Sequence, residues 1–156
     1  SDDGASLDAS RLELNVGRIL HENGDYTGAL ELFKRCAAAR EAQYGRDHRK
    51  TATAYRSVGS VLEDLGDYTA ALTILRKAAK IQEDVLGDRH PATGATYNAI
   101  GSVLDRKADY DGALEMYHKC LAIEREHFGP GHVETAGSFK SIGSILQTKG
   151  DYDGAL

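Results

Sequence analysis

The amino-acid sequence predicts an all-α fold, an α-solenoid built from antiparallel helix pairs. The first observation is a heptapeptide that recurs at a fixed period of 42 residues, at positions 24–30, 66–72, 108–114 and 150–156. A fixed period of this size is typical of a repeat array. The second observation is the spacing of apolar residues three and four positions apart, as in Tyr55, Val58 and Leu62. This spacing indicates amphipathic helices.

Each heptapeptide has the residues of a helix end followed by a helix start. Gly66 suits the left-handed position after a helix, and Asp67 suits the N-cap of the next one because its carboxylate can accept from free N–H groups. Two helices joined by so short a turn are expected to lie antiparallel. In the third repeat Ala108 replaces the glycine. Either the left-handed geometry is kept there at a cost of about 1–2 kcal/mol, or the turn relaxes.

The period also predicts the organisation of the chain. Residues 1–6 are small and polar and are expected to form a disordered tail. The first helix pair is expected at about 7–23 and 26–44. One array is expected over 7–156, with repeats at about 7–49, 50–91, 92–133 and 134–156, the last one truncated. Because the sequence stops at the fourth heptapeptide, the chain is expected to be a fragment of a longer array, or its last repeat to be covered by something else, with an open apolar face at Ile142, Ile145 and Leu146.

Two other positions recur at the period. One is a mid-helix glycine, which costs about 1 kcal/mol relative to alanine, so we expect a neighbouring helix to approach closely there. Its four members are Gly17, Gly59, Gly101 and Gly143, with small partners expected at Ala29, Ala71, Ala113 and Ala155. The other is a connector histidine, at His48, His90 and His132, which is expected to cap a helix. The three connectors lie too far apart to share a metal ion.

Composition and charge exclude several classes of function. The net charge of −5 is spread along the chain without a basic stripe, so we expect no nucleic-acid partner. No apolar run approaches the length of a membrane span, so no membrane partner is expected. Cys36 and Cys120 lie two periods apart, beyond disulfide reach, and are expected to be buried thiols, which favours a cytoplasmic location. No phosphate loop or catalytic signature is present, which predicts a protein without enzyme activity, cofactor or metal site.

These residues resemble the tetratricopeptide repeat (TPR). Its helix A pattern of aromatic, aliphatic–glycine and large apolar residues is matched by Tyr55, Val58, Gly59 and Leu62, and again by Tyr97, Ile100, Gly101 and Leu104. Its helix B pattern is matched by Ala113, Tyr117 and Cys120. The 42-residue period and the connector of Gly87, His90, Pro91 and Thr93 are similar to the longer repeats of kinesin light chains. The resemblance implies a right-handed superhelix of about three and a half repeats.

The resemblance also implies that the first helix of each pair lines a concave, peptide-binding groove. The residues at the positions that would face it are Leu14, Asn15, Arg18, Arg56, Ser60, Asn98, Ser102, Lys140 and Ser144. Arginine, lysine and asparagine can hydrogen-bond the backbone or carboxylates of an extended peptide. The alternative for these side chains is a solvated helix face.

The predicted function is therefore a protein-interaction scaffold that binds an extended peptide or a partner protein. Glu63 and Asp105, one turn further along, argue against a purely acidic ligand. Two alternatives stay open. The chain could be a structural segment that self-associates through its open C-terminal end, or the regulatory TPR region of a larger multidomain protein.

Overall fold

A computed structural model describes the backbone of residues 2–155 and the side chains of residues 9–151. Within this part of the chain all regular structure is helical, which confirms the all-α prediction. The helices are α1 (Asp2–Glu22), α2 (Tyr26–Tyr44), α3 (Arg49–Asp64), α4 (Tyr68–Leu86), α5 (Pro91–Arg106), α6 (Tyr110–His127) and α7 (Val133–Ala155). We call α1, α3, α5 and α7 the A helices, and α2, α4 and α6 the B helices.

The helices form two compact units, residues 1–85 and residues 86–156. In the first unit α1 packs on α2, α2 packs on α3, and α3 meets α4 where Gly59 lies against Leu75. In the second unit α5 packs on α6, and α6 packs on α7. Each unit therefore contains the predicted helix pairs. That all the repeats form a single array stays a prediction.

The turn between paired helices has the predicted chemistry. At the end of α3 the N–H of Asp67 donates to Leu62 O and the N–H of Gly66 donates to Glu63 O, both at 2.9 Å. These two bonds, with a φ of 81° at Gly66, form a Schellman motif. The carboxylate of Asp67 then accepts from the N–H of Ala70 at 3.2 Å and caps α4. The backbone N–H of one aspartate thus bonds the end of one helix, and its carboxylate caps the start of the next. Asp25 and Asp109 make the same two bonds.

The third repeat keeps this turn although it lacks the glycine. Ala108 has a φ of 62°, and its N–H donates to Asp105 O at 2.9 Å. The N–H of Asp109 donates to Leu104 O at 2.9 Å, as in the other repeats. The left-handed geometry is therefore kept, and the strain expected for an L-residue is present at Ala108.

Both ends of the chain differ from the prediction. Helix α1 begins at Asp2, so residues 2–6 are helical where a disordered tail was expected. Asp2 and Asp3 suit the positive end of a helix dipole, and no proline interrupts the stretch. Helix α7 runs through Gly150 and Asp151 to Ala155, so the turn predicted there is wrong. Too few residues of this sequence follow Gly150 to form a second packed helix, and continued helix keeps the backbone groups paired.

The mid-helix glycines do allow a close approach of the paired helix, as predicted. A Cβ built on Gly59 would lie 2.5 Å from Leu75 Cγ. The corresponding contacts are 2.6 Å from Gly17 to Phe33 Cε1 and 3.0 Å from Gly101 to the ring of Tyr117.

The nearest atoms to a Cβ added at Gly17, Gly59 or Gly101 belong to large side chains of the B helix. Ala29, Ala71 and Ala113 are fully buried, and their expected contact with the glycines stays a prediction. Ala155 lies outside the residues whose side chains are described. Gly143 meets nothing within 4 Å of an added Cβ. At Gly17, Gly59 and Gly101 the glycine therefore leaves room for a large side chain of the B helix. The recurrence of small residues in the sequence did not indicate this.

Candidate functional site

A cavity of about 480 Å³ in the first unit collects part of the predicted stripe. Four predicted residues line it, Leu14 and Arg18 from α1 and Arg56 and Ser60 from α3. The ring of Phe33 on α2 also lines the cavity. The sequence thus places these side chains on neighbouring A helices, and the packing of α1 and α3 on α2 brings them to one cavity.

The lining of this cavity is positively charged. Arg56 is half-buried, and its burial lowers the pKa of its guanidinium, with no carboxylate among the described residues acting on it. A guanidinium nevertheless stays protonated in proteins, so the charge is retained. Arg18, which also lines the cavity, is exposed. His21 Nε2 lies 2.5 Å from Asp64 Oδ2. The cavity can therefore bind a carboxylate or the carbonyl groups of a peptide.

A second cavity of the first unit, about 350 Å³, is lined by Leu14 and Asn15 together with basic residues. Arg40 is buried there, and its Nη1 donates to Lys50 O at 2.8 Å. Lys50 Nζ lies 4.8 Å from the centre of the Tyr44 ring. This cavity is thus partly occupied by the chain's own cations.

The second unit does not gather its predicted residues in the same way. Of these, Asn98 lines a cavity of about 480 Å³ between α5, α6 and α7. Ser102, Lys140 and Ser144 are not among the residues that line it. Lys140 and Ser144 are exposed on α7, and Ser102 is half-buried on α5. Their role in a groove stays a prediction.

Sequence reasoning missed the acidic lining of this second-unit cavity. Glu124 Oε1 accepts from Cys120 Sγ at 3.2 Å, whereas Glu124 Oε2 is buried and has no hydrogen-bond partner among the described residues. Phe128 and His132 stack, with ring centres 4.9 Å apart, and Glu134 also lines the cavity. One feature of the sequence could have indicated this lining. The position of Glu124 holds Arg40 in repeat one and Gln82 in repeat two, so its charge changes between repeats.

The connector histidines cap the A helices, as predicted. Nδ1 of His48 accepts from Lys50 N at 3.1 Å, and Nδ1 of His90 accepts from Ala92 N at 3.0 Å. His132 makes the corresponding bond to Glu134 N at 3.3 Å. The residues that the structure describes contain no group of three or more histidine, cysteine, aspartate or glutamate side chains able to hold a metal ion.

Both cysteines are free and buried, which confirms that prediction. Burial raises the pKa of the Cys120 thiol to about 12, and the Glu124 carboxylate adds to the effect, although a hydrogen bond from Ser138 opposes it. The thiol thus stays protonated until the pH approaches 12.

We expect Cys120 to resist alkylation in the folded protein. A pKa of about 12 in place of 9.0 lowers the thiolate population by about a thousandfold at mildly alkaline pH, and only the thiolate reacts. The measurement is the rate of iodoacetamide labelling by mass spectrometry in a Cys36→Ala background, since Ala78 holds that position in repeat two. The same protein in concentrated urea is the control. Equal rates in both states would contradict the expectation.

The apolar surface of α7 differs from the one predicted. Ile142 and Ile145 are buried, with 7% and 1% of their surface exposed, in a helix that packs on α6. The exposed apolar residues of α7 are Val133, Phe139 and Leu146. Self-association through this helix stays a prediction, now resting on Phe139 and Leu146.

None of the helices in the described part of the chain combines the length and the apolar character needed to cross a membrane.

The helix pairs that recur every 42 residues, with cavities between successive A helices, define an α-solenoid repeat protein. The tetratricopeptide repeat family model matches residues 8–84 and 55–126. The chain therefore belongs to the tetratricopeptide repeat family.

Solved structures with the same fold include kinesin-light-chain-like arrays. BtubC (BKLC) from P. vanneervenii aligns with a TM-score of 0.82 at 18% identity, over 92% of this chain and 57% of that one. A protein of nearly identical TPR-like repeats from Podosopora anserina, described as a kinesin light chain, aligns with a TM-score of 0.83 at 19% identity, over 94% and 71%. The chain thus spans little more than half of BtubC, and the predicted similarity to kinesin-light-chain repeats is confirmed.

A third similar structure contains a peptide. It is the first TPR of Spaghetti (RPAP3) bound to the HSP90 peptide SRMEEVD, with a TM-score of 0.68 at 13% identity, over 92% of this chain and 94% of that one. No curated protein matches the chain in sequence. At these identities the structures establish the fold alone.

Proposed function

We propose that this chain is a protein-interaction scaffold that binds an extended segment of a partner protein along its A helices. The observation that carries the proposal is the first-unit cavity, where Arg18 and Arg56 converge with Leu14 and Ser60. Arg56 is half-buried and has no carboxylate acting on it among the described residues. A desolvated guanidinium is stabilised when a ligand supplies acceptors, and arginine is enriched where proteins bind partners.

The fold supports the same proposal by analogy. The first TPR of Spaghetti holds a peptide on a similar arrangement of helices. A fold alone does not specify a ligand, so the argument depends on the charged cavity and not on the alignment. We also propose a cytoplasmic location and a binding role without catalysis for this chain. A regulatory role within a longer protein is compatible with both.

Reversing two charges of the stripe is expected to abolish selective peptide binding. The variant Arg56→Glu with Lys140→Glu places one acidic residue on an A helix of each unit. We expect peptides selected by the wild type from an array to bind at least about tenfold more weakly, because attraction becomes repulsion at close range. The measurement is array binding followed by titration calorimetry with the best peptides.

The matched control reverses two charges on the B helices. Lys34 and Arg76 are exposed on α2 and α4, so Lys34→Glu with Arg76→Glu changes the net charge equally. We expect this variant to bind like the wild type. An equal loss of peptide affinity in both variants would show that net charge alone causes the effect. Unchanged peptide binding in the Arg56→Glu, Lys140→Glu variant would contradict binding in the groove. If no peptide binds the wild type, self-association through the exposed apolar surface of α7 becomes the better candidate function. Light scattering would then test it.

A further inference from the structure

Two cavities occupy equivalent places in repeats one and three. Their lining residues are separated by two repeat periods, and each cavity lies between successive A helices, beside the end of a B helix. The lining of the first includes Arg11, Arg40 and Lys50, and the residues at the same places in the second are Ala95, Glu124 and Glu134. The charge of the cavity is therefore inverted between the two repeats.

In repeat one, cations of the chain itself lie in the cavity. The guanidinium of Arg40 is buried, with Nη1 donating to Lys50 O at 2.8 Å and Nε donating to Ser10 Oγ at 3.4 Å. Lys50 Nζ lies 4.8 Å from the centre of the Tyr44 ring, within range of a cation–π interaction. The Tyr44 ring, Arg40 and Lys50 thus share the first cavity with a third cation, Arg11.

Repeat three keeps the aromatic ring and replaces two of the three cations, Arg40 and Lys50, by carboxylates. Phe128 stands at the place of Tyr44 and is 45% exposed, stacked on His132. Glu124 stands at the place of Arg40, and its buried Oε2 has no hydrogen-bond partner among the described residues. Glu134 stands at the place of Lys50. A buried acceptor without a donor is costly, so this cavity favours a ligand that donates hydrogen bonds.

We propose that the cavity lined by Glu124, Phe128 and Glu134 is a subsite for an arginine side chain of the bound partner. The inference rests on the proposed function and specifies its ligand chemistry. A guanidinium presents planar donors that match a carboxylate, and it stacks on aromatic rings. The terminal torsion of a glutamate is soft, so Oε2 can turn towards such a ligand. The volume of about 480 Å³ exceeds that of one side chain several times over.

The test uses a single amino acid as the probe, so that it does not depend on a known peptide. N-acetyl-arginine amide is titrated into the ¹⁵N-labelled full chain, and the backbone amides of Gly94 and Gly137, which line the cavity, are followed by NMR. N-acetyl-citrulline amide is the matched probe, since it has nearly the same shape without the charge. We expect saturable shifts with arginine and binding weaker by about tenfold or more with citrulline.

Two variants locate the effect. Glu124→Gln introduces the residue that repeat two holds at this place, where Gln82 is 1% exposed, so the variant should fold. It is expected to weaken arginine binding by about tenfold or more, because the charge that strengthens the hydrogen bonds is lost. Glu31→Gln, at an exposed position of α2, is the control and is expected to bind like the wild type.

The outcomes are distinct from those of the peptide array. Absence of saturable shifts, equal affinity for arginine and citrulline, or equal affinity in Glu124→Gln would each overturn the arginine subsite. A groove that selects peptides without any preference for arginine would overturn the arginine subsite and leave the scaffold function intact. Arginine binding that depends on Glu124, in a protein that selects no peptide, would support the subsite and contradict the scaffold function.

Discussion

Replacing Gly59 with alanine is expected to lower the free energy of unfolding by up to about 2 kcal/mol. The added Cβ would lie 2.5 Å from Leu75 Cγ and 2.6 Å from Leu75 Cδ2. Leu75 is fully buried, and its Cγ is a branch point close to the backbone, so it cannot turn away. Overpacking of this kind costs about 1–3 kcal/mol. The gain in helix propensity offsets about 1 kcal/mol of that cost.

The equivalent glycine of repeat four provides the matched control. Gly143 is exposed in α7, and an added Cβ would meet nothing within 4 Å. Gly143→Ala is therefore expected to stabilise by about 1 kcal/mol through helix propensity alone. The measurement is the urea midpoint of each variant by circular dichroism. A rise of the midpoint in Gly59→Ala would show that the contact with Leu75 yields more readily than its geometry implies.

Replacing Ala108 with glycine is expected to stabilise the protein by about 0.5–1 kcal/mol. Ala108 has a φ of 62°, where an L-residue costs about 1–2 kcal/mol. Glycine removes that strain but adds conformational freedom to the unfolded chain, which returns about 0.4–1 kcal/mol of the gain. Both hydrogen bonds of the turn are already formed with alanine, so we expect no other change. The measurement is again the urea midpoint.

The reverse substitution tests the same turn in repeat two. Gly66 has a φ of 81°, and an added Cβ would meet nothing within 4 Å, so Gly66→Ala reports on the backbone alone. It is expected to destabilise by an amount similar to the gain at Ala108. If both substitutions left the midpoint unchanged, the left-handed position would carry no measurable strain in this chain.

The fold was predictable because its signals are local and repeated. The aspartate caps at Asp25, Asp67 and Asp109 use backbone groups three residues away, and their residue types alone indicate that role. The end at Gly150 was not predictable in the same way. The same heptapeptide stands there, but a turn persists only when a second helix packs against the first, and that condition is absent from local sequence.

The candidate site was only partly predictable. The A-helix stripe placed Arg18 and Arg56 at one cavity because Leu14 and Arg18 on α1, and Arg56 and Ser60 on α3, are each four residues apart and share a helix face. The acidic cavity was missed because Glu124 belongs to a B helix and Glu134 to the start of an A helix. Their proximity depends on where α6 ends against α7, which a helical pattern alone does not specify.

The aspartate shared by two helices has a consequence for how the chain acquires its structure. The bonds that close α3 and open α4 join residues no more than five positions apart, so a helical hairpin can form without waiting for distant segments to meet. Chains dominated by such short-range contacts fold quickly, and in repeat proteins folding can begin at any unit. Each hairpin turn is then a separate starting point, and damage to one leaves the others able to initiate folding.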